Sequence, residues 1–275
     1  MNKLILATTF LAIFINNNVV AQEIKMSGII TCSKTNEPIE FVNIGVFNKN
    51  KGTVTDQKGR FTIVLSKEFL NDSLTISHVG YKTLKIPVQR ANNIFFTLQP
   101  KANQLSEVVV ISNKKKKNRK IGVKSYNPLL WLTAISEDND IIENAQKINI
   151  PNKSIVKINY VNIYLRRGID TESSFIRVNF YKNLNDLPGE RILFENIVKK
   201  KKMEPGWLQI DLTEFNVYIK EDFFIGIEFL PDFKNTQSVY MGAILSKGKG
   251  FSRRSSQGKW EKLPGASAIN VEIEF

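Results

Sequence analysis

Few residues in this 275-residue chain have the chemistry of a catalytic or metal centre. Cys32 is the only cysteine and His78 the only histidine, which excludes an intramolecular disulfide and a clustered Cys/His zinc site. His78 has no second titrating partner nearby in sequence and reads as a packed or edge histidine; Cys32 reads as a small buried hydrophobe. No Gly-x-Ser-x-Gly elbow, Gly-rich phosphate loop or His-Glu-x-x-His pair occurs. A glycosidase-type carboxylate pair needs no histidine, but nothing in the sequence singles one out. An enzyme therefore ranks last, and no catalytic residue, metal ligand or cofactor is assigned. The acidic run Glu137-Asp138-Asn139-Asp140, with Glu143 beyond it, offers oxygen ligands for calcium, yet it lacks EF-hand spacing and an organising glycine, so a solvated loop is preferred. Trp207 and Trp260 are the candidate ligand-binding residues, because a flat ring suits the face of a sugar; edge-capping or core packing is the competing role for each. Alternation over Trp207 to Leu212 puts Leu208, Ile210 and Leu212 on one face and Trp207, Gln209 and Asp211 on the other.

Charge narrows the partners. Thirty-nine basic against 26 acidic residues give a formal +13, which favours anionic surfaces. Much of the excess lies in two runs, one holding Lys114, Lys115, Lys116 and Lys117 and the other Lys199 to Lys202. An anionic-surface contact is one reading of them; a solvated linker and a solvated hairpin tip are preferred, since no aromatic residues interleave them as in nucleic-acid binders. No nucleic-acid partner is expected.

The elements that must position these residues are strands. At 275 residues, against roughly 100 to 150 for an average domain, two domains are expected, and 42% hydrophobic residues suffice for two cores. Between Gly52 and Tyr81, Asp56 can fold its carboxylate onto nearby N–H groups while Gly59 closes a tight turn before Phe61, which reads as a β-hairpin. Gly80 supplies close backbone approach in a strand-like run, and Tyr81 an apolar ring with a polar tip at the domain edge. Strands are expected at Met26 to Cys32, Phe41 to Phe47, Phe61 to Leu65, Leu74 to Ser77, Leu84 to Val88 and Ile94 to Leu98. Gly28, Glu37-Pro38, Val42-Asn43-Ile44, Gly52-Thr53, Thr55-Asp56, Gly59-Arg60-Phe61, Gly80-Tyr81 and Leu105-Ser106-Glu107-Val108-Val109-Val110 stand in an order that resembles the carboxypeptidase-regulatory-like domain of Bacteroidetes cell-envelope proteins. The resemblance implies a transthyretin (prealbumin)-like β-sandwich. In many relatives the final strand leads into a TonB-dependent receptor, but the stretch beyond Ile111 is too short for a receptor-sized barrel. In others the domain stands beside a zinc carboxypeptidase, whose metal site one histidine cannot build.

Residues 1–21 read as a signal peptide: Lys3, a mostly apolar Leu4 to Ile15, and Val19-Val20-Ala21 before the cut. The mature chain should begin at Gln22, exported to the periplasm or to the outer-membrane or cell surface. The expected order is a sandwich over 22–111, a basic linker over 112–120 and a second, jelly-roll-like sandwich over 121–275, all-β throughout. In the last, strands are expected at Ile155 to Leu165, Phe175 to Tyr181, Trp207 to Leu212, Phe223 to Phe229, Val239 to Leu245 and Ala268 to Phe275, with a helical turn at Ile141 to Ala145 and a turn at Leu187-Pro188-Gly189. Their order looks like β-sandwich accessory modules of secreted bacterial proteins, some of which bind carbohydrate. The function expected is non-catalytic binding or assembly with a cell-envelope protein; carbohydrate binding through the second sandwich is the alternative. The two differ in what they need: neighbouring exposed aromatics flanked by hydrogen-bonding groups for a glycan, a larger apolar patch or open edge for a protein.

Overall fold

The computed structural model describes residues 23–90, 95–101, 116–135, 140–193, 195–231, 238–245 and 249–275. The expected signal peptide, the strand expected at Leu105 to Val110, Lys114, Lys115 and Glu137 to Asn139 lie outside the described residues. Apart from four short 3-10 segments, regular structure among the described residues is all β.

The first sandwich is built from β1 (Glu23–Cys32), β2 (Asn43–Val46), β3 (Gly52–Val54), β4 (Arg60–Ser66), β5 (Ser73–Ser77), β6 (Leu84–Pro87) and β7 (Phe95–Leu98). One sheet has the order β4-β1-β7 and the other β3-β2-β5-β6. Alternation in β4 turns Phe61, Ile63 and Leu65 inward, where they meet Ile30, Ile44, Leu74 and Ile76. Cys32 is buried in the same core. The Asp56 to Gly59 turn is not a hairpin within one sheet, because β3 and β4 belong to different sheets. It carries the chain across the sandwich, and Asp56 holds it by accepting bonds from Lys58 N at 2.8 Å and Arg60 N at 2.9 Å. Gly59 sits at φ 69°, and a Cβ there would come within 2.7 Å of Ile30 O. Gly80 likewise takes φ 81° in a turn after β5 rather than inside a strand.

The second sandwich contains β8 (Asn118–Gly122), β9 (Trp131–Thr133), β10 (Glu143–Ile148), β11 (Val156–Leu165), β12 (Ser173–Leu184), β13 (Leu187–Arg191), β14 (Ile197–Lys202), β15 (Gly206–Asp211), β16 (Val217–Ile219), β17 (Phe223–Leu230), β18 (Tyr240–Ile244), β19 (Gly250–Arg253), β20 (Glu261–Lys262), β21 (Ala266–Ser267) and β22 (Ile269–Glu274). Seven strands follow the order β13-β12-β17-β10-β19-β20, with β14 also on β12; eight follow β21-β18-β11-β22-β8, with β15 and β16 on β11 and β9 on β18. The chain passes repeatedly between the sheets, and residues such as Ile163, Phe180, Ile225, Ile227 and Val271 fill the space between them.

Four local expectations are corrected. Ile141 to Ala145 is not helical: Glu143–Ile148 is β10, in the middle of a sheet. Leu187-Pro188-Gly189 lies in strand β13; the turn is at Asn185 and Asp186, whose φ of 52° and 61° suit a two-residue hairpin loop that Asn and Asp tolerate well. Lys199 to Lys202 is no hairpin tip but part of β14 on β12, where Lys199 pairs with Glu214 and Lys202 with Glu204. Asn118 to Lys120 of the expected linker form an edge strand on β22, held by Lys116–Glu274 and Lys120–Glu272 ion pairs of 2.8 and 3.1 Å.

Strand β17 is buried along its whole length, because both faces of its sheet are covered. Its odd-numbered residues face the core; Phe224, Gly226, Glu228 and Leu230 face the other way, beneath the first sandwich and the segment around Trp260. There Phe41, at φ 55°, packs its ring at a tilt against Phe175 with centroids 5.4 Å apart and presents its carbonyl to Arg177. Asn43 Oδ1 accepts a second Arg177 bond at 3.0 Å. Ser256 Oγ donates to Ile44 O at 2.9 Å, and Gln257 Nε2 to Ser77 Oγ at 2.8 Å. Gly52 permits this approach, since its Cβ would lie 2.6 Å from Ser256 Oγ.

Candidate functional site

The outer face of the eight-stranded sheet carries four neighbouring aromatic rings. In β11, Val161, Ile163 and Leu165 point into the core, so Tyr164 and Arg166 point out; the pairing Tyr164–Trp207 places Trp207 of β15 beside them. Gly242 of β18 stands opposite Trp131 of β9. A Cβ on Gly242 would meet Tyr164 Cδ1 at 2.8 Å and Tyr126 Cβ at 3.2 Å, so its missing side chain is what lets these rings lie on the sheet. Tyr126 is held there by its neighbour Asn127, whose N–H donates to Ala243 O at 2.8 Å. Tyr126 stacks on Tyr164 at 3.6 Å, and Trp207 meets Tyr164 edge-on at 5.4 Å. The Arg166 guanidinium lies 5.0 Å from the Trp131 ring and donates to Pro128 O and Leu130 O. Trp131, Trp207 and Tyr126 are 55%, 41% and 40% exposed.

A polar strip borders the rings. Gln209 Nε2, two residues on from Trp207, donates to Asn162 Oδ1 at 3.3 Å and to Glu272 Oε1 at 3.1 Å. Asn162 Nδ2 donates to the same Glu272 oxygen at 3.0 Å and to Asn270 Oδ1 at 3.1 Å, and Lys120 reaches that oxygen from β8. Although burial works to raise it, the Glu272 carboxyl is held below its usual range by Lys120, Asn162 and Gln209. The face thus combines flat apolar rings with fixed donors and an acceptor.

The other residues singled out by sequence lie elsewhere. Trp260 is half-buried on the opposite sheet, edge-on to Tyr181 at 5.5 Å with the Arg253 guanidinium 4.9 Å from its ring. It covers a buried charge network. Glu143 and Glu228 face each other across β10 and β17, both fully buried. Arg177 bonds Glu228 at 2.9 Å and Arg253 Nε bonds Glu143 at 2.7 Å, while Asn179 donates to both carboxylates and Tyr181 to Glu143. Burial pushes the Glu143 carboxyl up; burial also opposes ionisation of Glu228, but Arg177, Arg191 and Arg253 hold it low. These carboxylates face no solvent from which a hydrolytic water would come, so the pair is suited to pinning strands together rather than to acid–base chemistry. Asp140, the described member of the acidic run, is also buried, accepting from Ile141 N at 2.8 Å and Ser256 N at 2.9 Å. Among the described residues no group of three His, Cys, Asp or Glu could hold a metal ion.

His78 packs edge-on to Tyr81, 5.3 Å between ring centroids, with Nδ1–H donating to Val79 O at 2.6 Å. Its Nε2 is buried without a partner, and burial together with the nearby charge of Arg177 depresses its pKa to about 3. Residues 26–110 match the CarboxypepD_reg-like domain. A TonB-dependent receptor of Formosa agariphila is 36% identical over 98 residues, a match that spans 36% of this chain and 9% of the receptor. The CarboxypepD_reg-like domain accounts for less than half of the chain, and the aromatic face lies wholly outside it. Among solved structures, the cysteine protease and lectin-like domains of Cwp84, a surface-layer-associated protein of Clostridium difficile, superpose with a TM-score of 0.43 at 10% identity, over 85% of this chain and 58% of that one. The Gx strain of infectious bursal disease virus gives 0.29 at 10% identity, over 91% and 63%. Neither bears on what this chain does. Among the described residues, no helix is long and apolar enough to cross a membrane.

Trp131, Tyr126, Tyr164 and Arg166 join Trp207 in the site. Alternation in Tyr160-x-Asn162-x-Tyr164-x-Arg166 is a sequence signal for an outward Tyr164 and Arg166. Trp131 sits in a three-residue strand too short to show a period, and Tyr126 in a loop.

Proposed function

We propose that this chain is a non-catalytic carbohydrate-binding protein of the cell envelope, with the second sandwich as the binding module. The observation that carries the reading is the exposure of Trp131, Tyr126 and Trp207 on one sheet face, with half-buried Tyr164 beneath Tyr126 and with Gln209, Glu272 and Arg166 at the border. A sugar ring offers an apolar C–H face to stack on such rings and hydroxyls to meet the polar strip, and rings held by a sheet are ordered before the ligand arrives. The envelope setting is supported by the CarboxypepD_reg-like match and by the likeness to a segment of a TonB-dependent receptor. The first sandwich, fastened to the sheet opposite the aromatic face, leaves that face open.

The test is binding of the purified protein to a panel of bacterial and plant polysaccharides, with Trp131→Ala and Trp207→Ala variants beside it. Truncating an aromatic anchor of a binding face costs about 1 kcal/mol or more, so each variant should bind at least about fivefold more weakly while keeping its melting temperature near that of the parent. Unchanged binding in both folded variants, or no binding by the parent to any glycan, would return the search to a protein partner.

A further inference from the structure

Around the edge strand β8 from the aromatic face lies a cleft of about 600 Å³, within the size range of small-ligand sites. Its wall carries Arg119, Lys120, Lys124, Lys147 and Lys249, and no carboxylate among the described residues lines it. Two of the five cations are already paired, Lys120 with Glu272 and Lys147 with Asp186. Arg119, Lys124 and Lys249 make no ion pair with any described residue. Like charges gathered in one concavity repel one another, and the concave shape concentrates their field; an anion entering the cleft relieves the first and is drawn by the second. Gln146 and Asn149 add uncharged hydrogen-bonding groups to the wall.

Lys120 belongs to both places: it lines the cleft and ends the polar strip Gln209–Asn162–Glu272 that borders the rings. A chain of sugars lying on the aromatic face therefore has a continuous polar route over β22 and β8 to the cleft. We infer that the cleft takes the anionic groups of an acidic polysaccharide, carboxylate or sulfate, whose sugar rings lie on the aromatic face. The inference rests on the carbohydrate reading and adds to it the class of glycan.

The experiment measures the affinity of the full chain for polygalacturonate (carboxylate), dextran sulfate (sulfate) and uncharged dextran. The cleft variant is Lys124→Glu with Lys249→Glu. A control variant, Lys34→Glu with Lys58→Glu, makes the same change in net charge at exposed positions of the first sandwich. The cleft variant should bind at least one polyanion about tenfold or more weakly, and the control less than about threefold more weakly, at 0.15 M salt, where charges beyond about 8 Å are screened. Equal losses in both variants would mean diffuse charge attraction and overturn the cleft, as would failure of the folded parent to bind either polyanion, or duplex DNA held as tightly and lost in the same cleft variant. A joint Trp131→Ala, Trp207→Ala variant separates the two readings. If it loses all glycan binding while the cleft variant loses none, the cleft falls and the aromatic face stands. If it binds the polyanions unchanged while the cleft variant loses them, the aromatic face falls and the cleft remains an anion site.

Discussion

His78 shows how one half-buried ring with an enclosed Nε2 couples the molecule to pH. Its Nδ1–H is spent on Val79 O, its Nε2 is enclosed without a partner, and Arg177 is close enough to disfavour a second positive charge. The folded-state pKa, about 3, lies below the ordinary 6.5, so above pH 6.5 neither state carries the proton and the residue costs nothing. As the pH falls from 6.5 towards 3, the unfolded chain takes up a proton that the folded one refuses, and stability falls with it. Between pH 7 and pH 4 the loss should be on the order of 2–3 kcal/mol. Urea unfolding of the parent and of His78→Gln at both pH values checks this: the variant should lose less stability on acidification, and parallel losses would contradict it. The sequence identified His78 as a packed histidine from the lack of a partner near it in the chain. It could not indicate the cause of the shift, because Arg177 lies 99 positions away and approaches only through the fold.

At the scale of elements, β12 and β17 bind the two sandwiches into one body. Arg177 of β12 reaches Glu228 on its neighbour and Phe41 O and Asn43 on the other sandwich, so a single side chain ties three strands and a loop. Without Arg177, Glu228 keeps Arg191 and Arg253 at 3.6 Å and the Asn179 bond but loses its short ion pair, while Asn43 Oδ1 and Phe41 O lose their buried donor, a loss of about 3 kcal/mol. The parent should therefore melt in one cooperative transition, and Arg177→Ala should lower it and separate the unfolding of the two sandwiches in calorimetry. An unaltered single transition would show that the apolar contact of Phe41, Val54, Ile141 and Leu230 suffices without it. Strands were the legible part of the sequence, since Phe61-x-Ile63-x-Leu65 and the alternation through β11 and β15 read directly as faces. The errors were local. Pro188 and Gly189 have turn-forming chemistry, yet Asn185 and Asp186 take the positive φ that the hairpin requires. Lys199 to Lys202 looks like a solvated tip by composition, but on an outer strand Lys199 pairs with Glu214 and lies over the ring of Phe215, and its neighbour Lys200 lies over Phe175.

At the scale of the molecule, the first sandwich was legible because its signature residues stand close together, from Gly52 to Tyr81, each answering a backbone need such as the φ of Gly59. The candidate site was not, beyond Trp207. It draws on Tyr126, Trp131, Tyr164, Trp207 and Gly242, spread over more than a hundred positions and joined only when β9, β11, β15 and β18 lie side by side. The +13 charge was plain in the sequence, but its gathering into a cleft beside β8 depends on strands from both sheets. The chain has three tryptophans, two on the proposed face and Trp260 away from it, and this offers the most direct test. The measurement is tryptophan fluorescence during titration with a polysaccharide from the binding panel, in the parent, in Trp260→Phe and in Trp131→Phe with Trp207→Phe. The account predicts a saturable change that survives in Trp260→Phe and vanishes in the double variant; a change that persists in the double variant and is lost with Trp260 would contradict it.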